Sequence, residues 1–461
     1  MPLILGTNSV KGGYEVANSC RFDNDSSDYL TFTPSSNGSR RIFTISFWFK
    51  TTSVAGGNSY MFSTGNYSGG DGFLQIKLSS SGRLTVDDYD QNGDSYNLRW
   101  TTPSTILFRD PAAWYHFVLA VDSTQGTQSN RAKVYINGVD ISSSFTQTTS
   151  PSQNDDFHVN TSSQIEQIGR SQNNNSYYDG YLAEFVMIDG SALAPTSFGE
   201  FDEDTPTIWK PISVSGLTFG TNGFYLDFET DDTLGNDVSG NDNDFANSNL
   251  TSVDQSTDTC TNNFATMNPL AMGSNITISE GNLKVSNGSS DNSVLGTIGL
   301  ANGKFYWEAK CTGATTYANI GVTLASAVGV THSNVDAGRI VYSHNGYVYK
   351  EGLSGQSNVS GLATFTTNDI ISVAFDAQNG SVKFYKNGTL VNTTTDNDLL
   401  FSNNEYITSI GMNQGGFELN FGSPPYSISS GNSDANGFGN FEYAVPSGYF
   451  ALCTKNLAEH G

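Results

Sequence analysis

The segment Ile42-Phe43-Thr44-Ile45-Ser46-Phe47-Trp48-Phe49-Lys50 places Phe43, Ile45, Phe47 and Phe49 on one side of the chain, the alternation of a half-buried strand. The same alternation returns in residues 115–122, 131–136, 305–310, 370–376 and 381–386, and no segment sustains the period of an amphipathic helix. Ten Asn-Gly dipeptides, at residues 37, 92, 137, 222, 287, 302, 345, 379, 387 and 436, supply pairs that tolerate positive φ and suit tight turns between antiparallel strands. Asn137-Gly138 follows Val134-Tyr135-Ile136 and Asn387-Gly388 follows Val382 to Lys386, so both predict hairpins. Regularly spaced short strands with such turns specify an all-β chain of antiparallel β-sandwiches or jelly rolls.

At 461 residues the chain fits two or three domains, each large enough to bury its own core. Only 14% of residues are charged, and Asn, Ser, Thr and 48 Gly carry the polar balance, as in a turn-rich β protein. Aromatics reach 12%, enough to fill sandwich cores and decorate loops. With 45 acidic and 21 basic residues the net charge is −24, which repels nucleic acid and anionic membranes and excludes both as partners.

Cys20, Cys260, Cys311 and Cys453 are scattered without a C-x-x-C pair, and read as buried thiols. The start Met1-Pro2-Leu3-Ile4-Leu5-Gly6 lacks the basic region and apolar length of a signal peptide, and no later run matches a membrane span. The expectation is a soluble protein made without a signal peptide and without membrane insertion. A composition shift between about residues 202 and 269 divides the chain into a sandwich over 1–210, an Asn/Asp-rich connector over 211–265 with one strand at 223–228, and a second sandwich over 266–461.

Trp114-Tyr115-His116-Phe117-Val118-Leu119-Ala120-Val121-Asp122, followed by Ala132 to Val139, resembles the paired hairpin strands of laminin-G-like, concanavalin-A-like lectin domains. Arg21-Phe22-Asp23 with Asp28-Tyr29-Leu30 resembles the opening strand of that family, and Gly180 to Phe185 its closing strand, so the resemblance spans residues 15–195. In the second half, Gly303-Lys304-Phe305-Tyr306-Trp307-Glu308, Asn319-Ile320-Gly321-Val322, Ile371 to Asp376 and Gly380 to Gly388 are similar to the SPRY family. That family implies another bent sandwich, which recognises partners through loops. The module order, the start Met1 to Ser9, the loop Leu234 to Asn241 and the ending Tyr449 to Leu457 together resemble structural proteins of marine tailed bacteriophages. That resemblance implies a place on the virion surface, among other virion proteins, on a tail fibre or a capsid projection. Such projections are often homotrimers, but the chain has no heptad stalk or collagen-like repeat, so trimer symmetry would have to come from the sandwich faces or the N-terminal segment.

Asp88-Tyr89-Asp90-Gln91-Asn92-Gly93-Asp94 opens like a D-x-D-x-N-G calcium loop, in which alternating oxygens converge and Gly permits the turn. Arg99 stands where the bidentate Glu of a helix-loop-helix site belongs. These residues therefore predict either a calcium site of another construction, as the laminin-G resemblance implies, with Asp88, Asp90, Asn92 and Asp94 as ligands, or an acidic hairpin tip. Glu229, Asp231, Asp232, Asp237, Asp242 and Asp244 read as a solvated linker.

Glu200-Phe201-Asp202-Glu203-Asp204 approaches the E-x-D-x-E signature of β-glucanases on the concanavalin-like fold. Asp204 replaces the final Glu and Thr205-Pro206 follows, so the segment reads as connector. His116, His158, His332, His344 and His460 are dispersed, and His116 reads as a packed or hydrogen-bonded ring without a triad. No catalytic residue and no enzyme activity are expected.

Sugar rings stack on aromatic faces while Asn, Asp and Gln bond the hydroxyls. Asn173, Asn175, Tyr177, Tyr178 and Asp179 hold that chemistry in one loop, and Tyr342, His344, Tyr347 and Tyr349 around a turn in the second half, either as binding sites or as ordinary β packing. Three functions follow, in order of preference: a virion surface protein that attaches to host-surface glycans or other molecules, a structural capsid decoration or joining protein, and a glycan hydrolase acting through Glu200 and Asp202.

Overall fold

The computed structural model describes residues 13–52, 57–65, 72–162, 164–327, 338–351, 358–395 and 405–461. The segment Met1 to Ser9 and His332 lie outside them. The chain divides into two compact units at Thr261/Asn262, and both are antiparallel β structures.

The first unit contains β1 (Ser19–Phe22), β2 (Tyr29–Phe32), β3 (Ile42–Thr51), β4 (Ser59–Thr64), β5 (Phe73–Leu78), β6 (Leu84–Asp90), β7 (Ser95–Thr101), β8 (Tyr115–Asp122), β9 (Ala132–Ile136), β10 (Val139–Asp140), β11 (Thr146–Thr149), β12 (Glu166–Ile168) and β13 (Gly180–Asp189). After these come β14 (Gly199–Phe201), β15 (Trp209–Pro211), β16 (Phe224–Leu226), β17 (Ala246–Ser248) and β18 (Gln255–Ser256). The back sheet runs β10-β9-β8-β3-β13-β1-β18 with β16 beside β13, and the front sheet runs β11-β7-β6-β5-β4-β12-β2-β17. Phe43, Ile45, Phe47, Phe49, Phe117 and Leu119 of the back sheet meet Leu74, Ile76, Val86, Leu98 and Ile168 of the front sheet in one core. Asn137 and Gly138, at φ 48° and 77°, form the expected tight turn between β9 and β10.

Of the expected connector over 211–265, residues 211–261 are instead built into this sandwich. β16 pairs with β13, β17 with β2 and β18 with β1, and the unit ends only at Thr261. The reason lies on the far side of β3, which was expected to face water but has Thr44, Ser46, Trp48 and Lys50 all buried. Residues following β13 cover that side. Phe198, Val214, Phe219 and Tyr225 pack on Val118, Val186 and Ile188, and Trp209 packs with Trp48 and Ala183. A polar composition hid this layer because only a few well-spaced aromatics carry its contacts. Of the second acidic cluster, Glu229, Asp231, Asp232, Asp242 and Asp244 are exposed as expected, but Asp237 is 7% exposed and accepts from the backbone N–H groups of Tyr225, Ser239 and Asn243, so it organises a loop of this layer.

The second unit is built around Lys304–Leu324, a long strand that pairs with Ile370–Asp376 at its start, with Tyr406–Asn420 along its length and with Arg339–Ser343 at its end. Phe305, Trp307, Ile320, Val373, Phe384 and Phe417 fill its core. Asn387 and Gly388, at φ 48° and 76°, close the predicted hairpin between Ser381–Lys386 and Thr389–Thr395. A short helix, Thr454–His460, ends the chain.

Candidate functional site

On the front sheet, Leu74, Ile76, Leu84, Val86, Leu98 and Ile168 point into the core, so the alternate residues point away from it. Strand register aligns those residues into one row. Gln167 on β12 lies opposite Ser63 on β4, Ser63 opposite Gln75 on β5, Gln75 opposite Asp87 on β6, and Asp87 opposite Arg99 on β7. Every member is polar. Gln75 donates from Nε2 to Asp87 Oδ2 at 2.9 Å, and Lys77 Nζ stands 3.7 Å from the same oxygen. Gln75 Oε1, Asp87 Oδ1 and Gln167 Nε2 are buried without a hydrogen-bond partner among the described residues, a costly state. Burial pushes the Asp87 carboxyl up against the pull of Lys77, and burial pushes the Lys77 ammonium down.

Aromatic rings flank this row on both sides. Lys77 Nζ lies 5.2 Å from the Tyr60 ring centre. Phe73, Tyr89 and Tyr96 pack successively at 5.4 and 4.9 Å, with the Arg99 guanidinium 4.4 Å from Tyr96. The loop expected to bind sugar reaches the row through Arg170. Its Nε donates to Gln167 Oε1 at 2.7 Å and its guanidinium lies 3.5 Å from the Tyr29 ring centre, and Tyr177 packs on Tyr29 at 6.2 Å.

The rest of that loop separates by role. Asn173 and Asn175 are exposed, and Asn175 bonds back to Ser171. Tyr178 is in the core, where its OH donates to the Lys50 carbonyl at 3.1 Å, so it is not a ligand contact. Asp179 accepts from Asn24 N at 2.9 Å, and burial, reinforced by nearby Asp23, Asp25 and Asp28, pushes its carboxyl up to about 6.

The four expected calcium ligands do not converge. Asp88 is buried and accepts from the backbone N–H of His158 at 2.8 Å and from Asn97 Nδ2 at 2.8 Å, with His158 Nδ1 at 3.0 Å. Asp90 Oδ1 accepts the N–H groups of Asn92 and Gly93, and Asp94 accepts from the Tyr89 hydroxyl. Among the described residues no three His, Cys, Asp or Glu are grouped to hold a metal ion. Asp90 closes the hairpin, its Oδ1 turned back on the hairpin's own backbone. Asp90 and Asn92 instead line a polar depression of about 480 Å³ with Asn97, His158, Arg40 and Asp156.

In the second unit Tyr342 is buried, with its OH donating to the Ala363 carbonyl, and serves the core. His344 Nδ1 accepts from Ala318 N at 3.3 Å, and burial holds its pKa below the usual value. Tyr347 and Tyr349 are the accessible pair: their rings stack at 5.5 Å and 10°, Tyr347 is 38% exposed, and Asn345 Nδ2 donates to the Tyr349 hydroxyl at 3.1 Å. Alternation along one strand turned two tyrosines out and left Tyr342, on its partner strand, facing in.

Residues 24–196 match the family model of the concanavalin A-like lectin/glucanase superfamily, and residues 304–422 match that of the SPRY domain. The chain carries a lectin-like module and a SPRY module. Among solved structures it is similar to the SPRY domain of human HERC1, at 16% identity over 33% of this chain and 96% of that one with a TM-score of 0.28. It is also similar to stonustoxin, at 20% identity over 34% of this chain and 27% of that one with a TM-score of 0.28. A third is a heptameric SAP-like pentraxin from Limulus polyphemus, at 16% identity over 40% of this chain and 80% of that one with a TM-score of 0.27. No curated protein matches the chain.

The glucanase-like triplet of the lectin-like module lies on and after β14, which pairs with β15 in a two-stranded ribbon and is not an unstructured connector. Glu200 and Asp202 both turn to Lys210, at 3.3 and 3.2 Å. Burial, which would raise the Asp202 carboxyl, is outweighed by hydrogen bonds from Lys210 and Thr205, so its pKa falls below the usual value. Cys20, Cys311 and Cys453 are buried free thiols, and Cys260 is half-buried. Among the described residues no helix is long and apolar enough to cross a membrane. The polar row was missed by sequence reasoning because its members are single polar residues between core positions on five strands. The outward position of the alternation in each strand was the signal that could have found it.

Proposed function

We propose that the chain is a non-catalytic recognition protein whose lectin-like module binds glycan across the outer face of its front sheet. The observation that carries this reading is the polar row from Gln167 to Arg99, with unsatisfied hydrogen-bonding atoms on Gln75, Asp87 and Gln167 and aromatic rings along both sides. Such a face offers a hydroxyl-rich ligand both acceptors and donors, and ring surfaces for its C–H groups. In the SPRY module the stacked Tyr347 and Tyr349 offer a second, smaller contact surface. The resemblance of the opening and closing segments to phage structural proteins supports a place on a virion surface, where the glycan would belong to the host. The test is a glycan array with the whole protein, followed by calorimetry on Gln75→Leu and Asp87→Asn. Each is expected to weaken binding about tenfold, the worth of one or two hydrogen bonds. Unchanged affinity in both variants would remove the face from the reading. A capsid decoration protein instead would show no glycan binding and a fixed lattice position in electron micrographs of labelled particles.

A further inference from the structure

Lys50 on β3 and Asp258 just after β18 are separated by 208 positions in sequence, yet Lys50 Nζ lies 2.7 Å from Asp258 Oδ2. Their side chains are 0% and 2% exposed. Trp114 Nε1 donates to the other carboxylate oxygen, Oδ1, at 3.1 Å, and the Tyr181 ring centre lies 5.4 Å from the ammonium. The backbone at both ends is held in place: Ser19 Oγ donates to the Asp258 carbonyl at 2.6 Å, Asp258 N donates to Ser256 Oγ at 3.1 Å, and Tyr178 OH donates to the Lys50 carbonyl.

Two opposite charges buried this deeply carry a large desolvation cost, which their mutual attraction repays only in part. An amide between the same two side chains would fill the same space with no charge at all. Fixed at contact distance, the amine and the carboxyl are held at high effective concentration, and their burial disfavours the reverse hydrolysis.

We propose that Lys50 and Asp258 condense into an intramolecular amide, a covalent modification of the lectin-like module. A proton passes from Nζ to Oδ2 along the 2.7 Å contact, leaving a neutral amine beside a neutral acid. The Nζ lone pair then forms a bond to Cγ, and the negative charge that develops on Oδ1 is met by the Trp114 indole N–H. A second proton moves from Nζ to Oδ2, the Cγ–Oδ2 bond breaks, and Oδ2 leaves as water with both protons. The nitrogen keeps one hydrogen, both charges cancel, and no oxidant, reductant or further acid is consumed. The product ties the central strand of the back sheet to the segment that ends the module, closing over the layer that covers that sheet. As with a disulfide, a closed loop this long restricts the unfolded chain strongly.

The test is the intact mass of the purified full chain under denaturing conditions, followed by proteolysis and fragmentation. The proposal expects a mass lower than the sequence mass by one water, a branched peptide joining Lys50 to Asp258, and return to the full sequence mass in Lys50→Arg. A wild-type mass equal to the sequence mass overturns it. So does a lost water that fragmentation places elsewhere, such as a cyclised Asp, or one that persists in Lys50→Arg. Because the wild type alone decides, poor folding of the variant does not protect the proposal.

Discussion

The indole N–H of Trp209 donates to Nδ1 of His116 at 3.0 Å, while the opposite ring nitrogen meets Ser46 Oγ at 2.9 Å and Trp48 stacks on the ring at 4.8 Å. Trp can only donate, so Nδ1 is the acceptor and Nε2 carries the proton toward Ser46. His116 is thereby the hinge pin between the back sheet and the layer that covers it. Its replacement by Ala is expected to cost about 2–4 kcal/mol, as for a large buried side chain, measured by denaturant unfolding.

The same burial sets a pH dependence. Desolvation lowers the His116 pKa from 6.5 to about 3, so between those values the unfolded chain binds a proton that the folded chain refuses. Stability therefore rises with pH across that window. Unfolding free energies measured at several pH values should show a shallower rise in His116→Asn than in the wild type.

Glu184 works in the opposite sense. It sits at φ 50° in the β-bulge of β13, accepts from the hydroxyls of Tyr225 at 2.8 Å and Tyr14 at 3.2 Å, and burial raises its carboxyl from 4.5 to about 7. Between those values the folded chain holds the extra proton, so stability falls as pH rises through the window. Glu184→Gln keeps an acceptor for the tyrosines and is expected to flatten the decline. An unchanged slope would assign it to other carboxyls.

Gly138 occupies a left-handed turn position at φ 77°, and a Cβ there would stand 2.3 Å from the Trp209 ring. Gly138→Ala is expected to lose about 1–3 kcal/mol from backbone strain alone, with further loss from displacing Trp209, which tryptophan fluorescence would register as increased solvent exposure.

A fragment that stops at residue 210 leaves Val118, Val186 and Ile188 without the residues 214–225 that cover them. It is expected to aggregate on expression, whereas a fragment ending at Thr261 stays in solution. Sedimentation of the two lysates distinguishes them.

What the sequence disclosed was local. Phe43 to Phe49 and the hairpins at Asn137-Gly138 and Asn387-Gly388 carry their signals within a few residues, and they form as expected. Both recognised modules rest on such segments. The covering layer was illegible because Trp209 finds His116 across 93 positions, a distance no period encodes. The candidate face was half legible. Tyr177 and the Asn173 loop were marked by composition, but Tyr178 and Tyr342 have the same chemistry and turn inward, and only register with neighbouring strands decides which way each ring points. The calcium-like spacing left two readings open because short Asp and Asn side chains serve turns and cations with the same oxygens.

A plain two-layer sandwich offers solvent two broad faces, and either can acquire a binding role. Here β13 is followed by chain that upholsters the back sheet with Phe198, Trp209, Val214 and Phe219. Within this module, substitutions on the back sheet answer to apolar packing, whereas the outer side of the front sheet carries the polar row from Gln167 to Arg99. If the front sheet binds glycan as proposed, selection for a new ligand would leave its record on alternate residues of β4 to β7 and β12 of this sandwich.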